Sequence, residues 1–326
     1  MYKNLSVLGI LAWLAIASSV QALTYNWTNT AGGDFNAAGN WNPAGPPGPA
    51  DEAEFNVAGN YRVTWSAGLT NGLADIRAGT LTFDTGPSVY CPTNFTIASG
   101  SADQGEVFLT NGVIETRGYV YVGIEGSGNL TITNGAVWRH IGGTGTDPYF
   151  FICRHKTSFT GPRTNIVTIT GPGSLLRNET RFYVGMDNAQ TNHFGAIRVL
   201  DGGRYESLWS VNTFNQHSAL EVDGTNSVFD CLITGGTIGM NNGVSTEPLS
   251  LSITRGGKVV THTSFYIGGQ TGSHATVLID GEGSWLHTTN ISPSWAAFGG
   301  SQSSPAGYVA ATIRNGGRIV TGNDFE

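Results

Sequence analysis

The sequence predicts an all-β fold, a right-handed parallel β-helix with irregular circuits of 23–37 residues and an N-terminal capping segment. Three observations carry this. First, one phrase recurs along the chain: alternating apolar residues, a turn of Gly, Asn or Asp, then more apolar residues. Copies stand at 130–138 (LTITNGAVW), 167–175 (VTITGPGSL), 197–205 (IRVLDGGRY), 251–259 (LSITRGGKV), 277–285 (VLIDGEGSW) and 312–319 (TIRNGGRI). A repeated strand-turn-strand unit implies stacking, since each unit buries its apolar face only against the next. Second, another strand phrase falls between these copies, at 119–123 (YVYVG), 181–185 (RFYVG), 264–268 (SFYIG) and 295–299 (WAAFG), rich in aromatic and β-branched residues and closed by Gly. Third, no helical period is evident after residue 23, Gly makes up 47 of 326 residues, and only 12% are charged. A sandwich or propeller fits less well: two-residue hairpins and a steady blade period are both missing.

In chain order, Lys3 precedes an apolar run from Leu5 to Ala17, and small residues follow at Val20 and Ala22. This pattern reads as a signal peptide, residues 1–22, cut after Ala22. The run is shorter than the roughly 20 residues a spanning helix needs, so no transmembrane helix is expected in the mature chain.

Residues 23–60 read as an N-terminal cap. A solenoid's first circuit needs a lid over its core and a partner for its open edge. Trp27, Phe35 and Trp41 supply the apolar matter. The competing role for Trp27 and Trp41 is an exposed platform on which sugar rings stack.

Residues 61–326 read as the β-helix. Taking the last apolar residue before each turn as a ruler gives Phe83, Leu109, Ile132, Ile169, Val199, Val222, Ile253, Ile279 and Ile313. The shortest interval, 23 residues, holds three short strands and three turns; longer intervals carry loops at 142–147, 157–164 and 302–307. Stacking should place the ruler residues in one interior column, about 4.8 Å apart. Asn111, Asn134, Asp201 and Asn315 fall at one corner position, with Asp223 and Asp280 one residue earlier. These residues tolerate φ > 0 and suit a tight turn. A calcium ladder is the sharper alternative, although the calcium-binding glycine-rich nonapeptide is missing. The chain stops inside the repeat pattern, which is read as truncation of a longer protein.

The opening Trp27, Gly32-Gly33-Asp34-Phe35-Asn36, Asn40-Trp41, Pro46 and Asp51-Glu52-Ala53-Glu54-Phe55 resembles the start of exported β-solenoid proteins of environmental Gram-negative bacteria, of the autotransporter-associated β-strand repeat or PEP-CTERM type. Phe265-Tyr266-Ile267-Gly268 and Gly281-Glu282-Gly283-Ser284-Trp285-Leu286 resemble their core repeat. The resemblance implies an extracellular or outer-membrane-associated β-helix with an adhesion or matrix role.

The net charge of −7 argues against nucleic acid and anionic lipid as partners. Extracellular glycans or cell-surface components fit better. Cys91, Cys153 and Cys231, odd in number and beside apolar residues, read as buried thiols; one bridge plus a free thiol is the alternative. No cofactor or metal is expected.

Glycoside hydrolysis needs two carboxylates about 5–10 Å apart. Glu206 with Glu221 and Asp230, or Glu179 with Asp187, are the candidates, with Arg177, Arg181 and Arg204 near enough to pair with them instead. Lyase chemistry would draw on Arg154-His155-Lys156, the one basic cluster. His140, His193, His217 and His274 are scattered, whereas His262 and His287 fall at similar places in successive circuits. The expectation is therefore a non-catalytic exported solenoid of structural or adhesion type that binds glycans or surfaces; a β-helix polysaccharide lyase or glycoside hydrolase is the alternative.

Overall fold

A computed structural model describes residues 21–142, 148–154, 161–185, 193–209, 211–215, 217–233, 236–240, 248–268, 272–289, 295–299, 307–322 and 324–325. The chain winds as a parallel β-helix whose circuits contribute strands to three faces. The first face holds the ruler strands, such as Ser127–Ile132, Arg163–Thr170 and His193–Leu200. The second follows the corner, with Val137–His140, Leu175–Asn178 and Arg204–Ser207. The third holds Val120–Val122, Tyr149–Ile152 and Arg181–Val184. Each strand pairs in parallel with its counterpart one circuit on.

The ruler is borne out residue for residue. Phe83 pairs with Leu109, Leu109 with Ile132, Ile132 with Ile169, Ile169 with Val199 and Val199 with Val222. Val222 pairs with Ile253, Ile253 with Ile279 and Ile279 with Ile313. From Phe83 to Ile279 these side chains are fully buried. Insertions change the interval without moving the register because a one-residue slip would turn the apolar set outward. Parallel columns run inside the other faces, through Trp138, Leu176, Tyr205 and Phe229 on the second and Val120, Phe150 and Phe182 on the third.

The corner between the first and second faces comes in two lengths that alternate from Ile132 onward. The short form puts two successive residues at positive φ: Asn134 (54°) with Gly135 (77°), Asp201 (49°) with Gly202 (89°), Arg255 (50°) with Gly256 (89°), and Asn315 (52°) with Gly316 (86°). The intervening circuits have one residue more and end in serine: Gly171 to Ser174, Gly224 to Ser227 and Gly281 to Ser284. Each serine hydroxyl accepts a hydrogen bond from the glycine amide of the short corner one circuit earlier: Gly135 to Ser174 (3.1 Å), Gly202 to Ser227 (2.9 Å), Gly256 to Ser284 (3.0 Å). Asp223 and Asp280 do not join the tip. Both lie in the strand-end column with Leu200, Thr254 and Arg314. There Asp223 accepts from Arg255 Nε at 2.8 Å, and Asp280 accepts from Asn315 Nδ2 at 2.7 Å and from Arg314 Nε at 2.9 Å, which holds both carboxyls below the ordinary carboxylate range.

The cap is an aromatic plug. Thr24–Trp27 pairs in parallel with Glu52–Glu54 and antiparallel with Trp41–Asn42. Trp27 and Trp41 meet edge to face at 5.1 Å, and Phe35 meets Trp41 at 4.8 Å and Trp65 at 5.2 Å. Each indole N–H is satisfied by a backbone carbonyl, Trp27 by Asn29 and Trp41 by Phe35, both at 2.7 Å. The strand Glu52–Thr64 already pairs with Leu73–Asp84, so the first circuit starts before residue 60, where the sequence set the boundary. Residues 1–20 and most of the three expected insertions lie outside the described residues. Among the described residues no helix is long and apolar enough to cross a membrane.

Candidate functional site

The third face carries a run of outward-facing aromatic residues on three successive circuits. In YVYV (119–122), YFFI (149–152) and RFYV (181–184), alternation turns Val120, Val122, Phe150, Ile152, Phe182 and Val184 into the core. The residues between them point outward. Register then sets Tyr121 beside Phe151 and Phe151 beside Tyr183, and Tyr149 beside Arg181. Three circuits whose outward positions happen to be aromatic thus make one patch, instead of rings scattered around the solenoid.

The rings are nearly parallel. Tyr121 and Phe151 lie 5.3 Å apart at 3°, Phe151 and Tyr183 5.5 Å apart at 20°, and Tyr119 and Tyr149 5.8 Å apart at 12°. Two cations lie against this array. The Arg154 guanidinium is 5.3 Å from the Tyr121 centroid and 5.0 Å from that of Phe151, and its Nη1 donates to the Tyr121 hydroxyl at 2.7 Å. Arg181 lies 5.3 Å from the Tyr149 centroid and donates to its hydroxyl at 3.0 Å. Such cation–π contacts are worth about 0.5–1 kcal/mol each at exposed sites and hold both partners in place. Burial raises the Tyr121 phenol above its ordinary pKa, and the nearby Arg154 charge opposes the rise. Tyr119, Tyr121, Tyr149, Phe151 and Arg154 line a shallow pocket of about 420 Å³, a volume suited to one small ring.

The strand phrases end in a left-handed residue that turns the chain out of this face: Gly123 at φ 79° and Gly185 at 71°. Cys153 occupies the equivalent place at 59°. A Cβ at Gly123 would sit 2.0 Å from Asn165 Oδ1, so a larger residue there would push the Asn165 side chain off the Gly128 amide.

Trp27 and Trp41 are 1% and 3% exposed, and neither offers a ring to solvent; burial under the cap, where the first core layer needs a lid, places them away from any sugar. Of the carboxylates, Glu206 and Asp230 are direct neighbours on the second face, whereas Glu221 belongs to the first face and pairs with Arg198 at 3.0 Å. Arg204 lies 3.2 Å from Glu206, and Arg177 joins Glu179 at 3.5 Å to Glu206 at 3.9 Å. Burial raises the Asp230 carboxyl, with His262 and Arg204 opposing and Glu206 adding to the rise. His262 lies 3.6 Å from Asp230 and 2.7 Å from the Thr289 hydroxyl. It does not pair with His287, whose partner is Val260: the two histidines are two residues out of register. His140 is buried and His193 contacts the Gly161 carbonyl at 3.0 Å. Arg154 belongs to the aromatic patch, while His155, Lys156 and Asp187 lie outside the described residues. All three cysteines are free, Cys153 and Cys231 buried and Cys91 half-buried.

A larger hollow, about 740 Å³, opens beside Arg77, Asp103, Gln104 and Glu106. Its carboxylates are engaged: Asp103 accepts from Gly100 N at 2.7 Å and Arg77 Nε at 3.1 Å, and Glu106 accepts from Thr80 at 3.2 Å. Among the described residues, no group of three or more His, Cys, Asp or Glu is arranged to hold a metal ion. Compared with known proteins, the chain matches no family model, no curated protein and no solved structure.

Proposed function

We propose that this is an exported, non-catalytic β-solenoid that binds extracellular glycans through the aromatic patch of its third face. The observation that carries the reading is the convergence of Tyr119, Tyr121, Tyr149 and Phe151 on one pocket with Arg154 at its wall. A sugar ring has apolar C–H surfaces and a rim of hydroxyls. Aromatic walls take the first, and tyrosine hydroxyls and guanidinium N–H groups take the second. Export is supported by the charge and apolar pattern of residues 1–22 and by the likeness of the opening to exported solenoids.

Calorimetric titration of the purified protein against a panel of oligosaccharides tests binding. The expected result is binding by the wild type, with at least a tenfold loss in the Tyr121→Ala/Tyr149→Ala double variant at an unchanged unfolding midpoint. Retention of full affinity by the double variant would remove the patch from the account. N-terminal sequencing of secreted protein tests cleavage after Ala22.

The hydrolase reading retains one specific observation, the adjacency of Glu206 and Asp230 with the Asp230 carboxyl raised. Appearance of new reducing ends from a polysaccharide, abolished in Glu206→Gln, would replace the binding reading with the catalytic one.

A further inference from the structure

We infer that the pocket selects anionic sugar residues, a pyranose bearing a carboxylate or a sulfate, and that Arg154 is the selecting group. The inference rests on the glycan-binding reading and names the ligand class. Arg77, Arg177, Arg198, Arg204, Arg255 and Arg314 each lie against a carboxylate. Among the described residues Arg154 has no such partner; its side-chain contacts are two aromatic rings and one phenol hydroxyl. Its Nε is buried and makes no hydrogen bond among the described residues. The charge is therefore held in a partly apolar wall with no carboxylate against it, and the guanidinium edge beyond the buried Nε is left to meet a ligand. A guanidinium fork of this kind pairs with planar or tetrahedral oxyanions and is weakly hydrated, so replacing its water is cheap. The chain as a whole is negative, at −7, so attraction of a polyanion has to come from local cations, Arg154 in the pocket wall and Arg181 beside Tyr149, and not from the overall field.

The test titrates wild type, Arg154→Gln, Arg154→Lys and Tyr121→Ala with oligogalacturonate, a sulfated galactan oligosaccharide and a neutral cello-oligosaccharide. The expected wild-type preference for an anionic probe is roughly tenfold or more, the worth of a charged hydrogen bond. That preference should weaken with added salt. Arg154→Gln should abolish the preference while leaving neutral binding in place, Arg154→Lys should keep part of it, and Tyr121→Ala should weaken every probe. The carboxylated and sulfated probes distinguish which anion is taken. Equal affinity for neutral and anionic probes, or an undiminished preference in Arg154→Gln, overturns the role of Arg154 and leaves glycan binding standing. Failure of every probe to bind overturns both.

Discussion

The hydroxyl of Ser99 stands 2.8 Å from Oδ2 of Asp75 and ties a nearly buried carboxyl, 6% exposed, to the next circuit. The same hydroxyl is 3.3 Å from Asp103, whose charge is held by Arg77 and the Gly100 amide. Burial pushes Asp75 up to about 7; the Ser99 hydrogen bond opposes this and the charges of Glu52 and Asp103 add to it. The native state then keeps a proton that the unfolded chain releases near pH 4. Stability is fullest below that value and falls as pH rises from about 4 to about 7, by on the order of 3–4 kcal/mol. Urea unfolding midpoints should drop between pH 5 and pH 8, and Asp75→Asn should flatten the drop. A variant curve parallel to wild type would show that Asp75 ionises normally.

His140 tilts stability the other way. Its ring is buried between the second and third faces, edge-on to Phe150 at 5.8 Å, with Nδ1 2.9 Å from the Thr116 hydroxyl. That hydroxyl also accepts from Trp138 Nε1 at 3.2 Å, and the ring is assigned as neutral. Burial depresses the pKa to about 3. The unfolded chain binds a proton near pH 6.5 that the native state refuses. Stability on this account is intact above that pH and declines as pH falls toward 3. His140→Gln should move acid unfolding to lower pH, read by far-ultraviolet circular dichroism, and an unmoved midpoint would discard the assignment.

Ser284 should be costly to remove. It is fully buried, accepts from Gly256 N at 3.0 Å and donates to the Asp280 carbonyl at 2.7 Å. Ser284→Ala strands a glycine amide in the stack, at about 1–3 kcal/mol. An equivalent loss is expected for Ser227→Ala, whose hydroxyl makes the matching pair of bonds to Gly202 N and the Asp223 carbonyl. Chemical denaturation gives both values; a loss below about 0.5 kcal/mol would mean that water serves the amide equally well.

The thiols should react in a set order. Burial raises all three, Cys153 to about 11, and a thiol that keeps its proton is a poor nucleophile. Only Cys91 is partly open to solvent. Ellman's reagent at pH 8 should modify Cys91 slowly in the native protein and Cys153 and Cys231 only on unfolding. Rapid native modification of all three would contradict the burial of the latter two.

The circuit register was legible because the core tolerates no slip: every residue of the isoleucine and valine ruler found its expected partner. The cap boundary was not, since the ladder to the next strand runs on both sides of an irregular stretch at 56–60, with Ala53 and Phe55 buried before it and Tyr61 and Val63 after it. The aromatic patch escaped for a local reason. Its neighbours, YVYVG and RFYVG, ended in glycine and were read as strands, but the middle strand YFFIC ends in Cys153, which adopts the left-handed conformation that glycine fills elsewhere. Without the middle strand, nothing in the sequence places Tyr121 and Tyr183 on one surface, whereas the Trp27 and Trp41 rings stand out by residue type alone. Sequence spacing joined Glu206, Glu221 and Asp230, although Glu221 sits on another face. Corner lengths that vary by one residue hide which columns coincide.

The alternation of corners has a consequence for heredity. Duplicating or excising one circuit would bring two corners of the same kind together, leaving a serine with no glycine to clasp or a glycine with no serine. Doing so for two circuits at once restores the pattern. Lineages of this solenoid should therefore differ in length by even steps, and an engineer who wishes to shorten or extend the spring should cut it in couples.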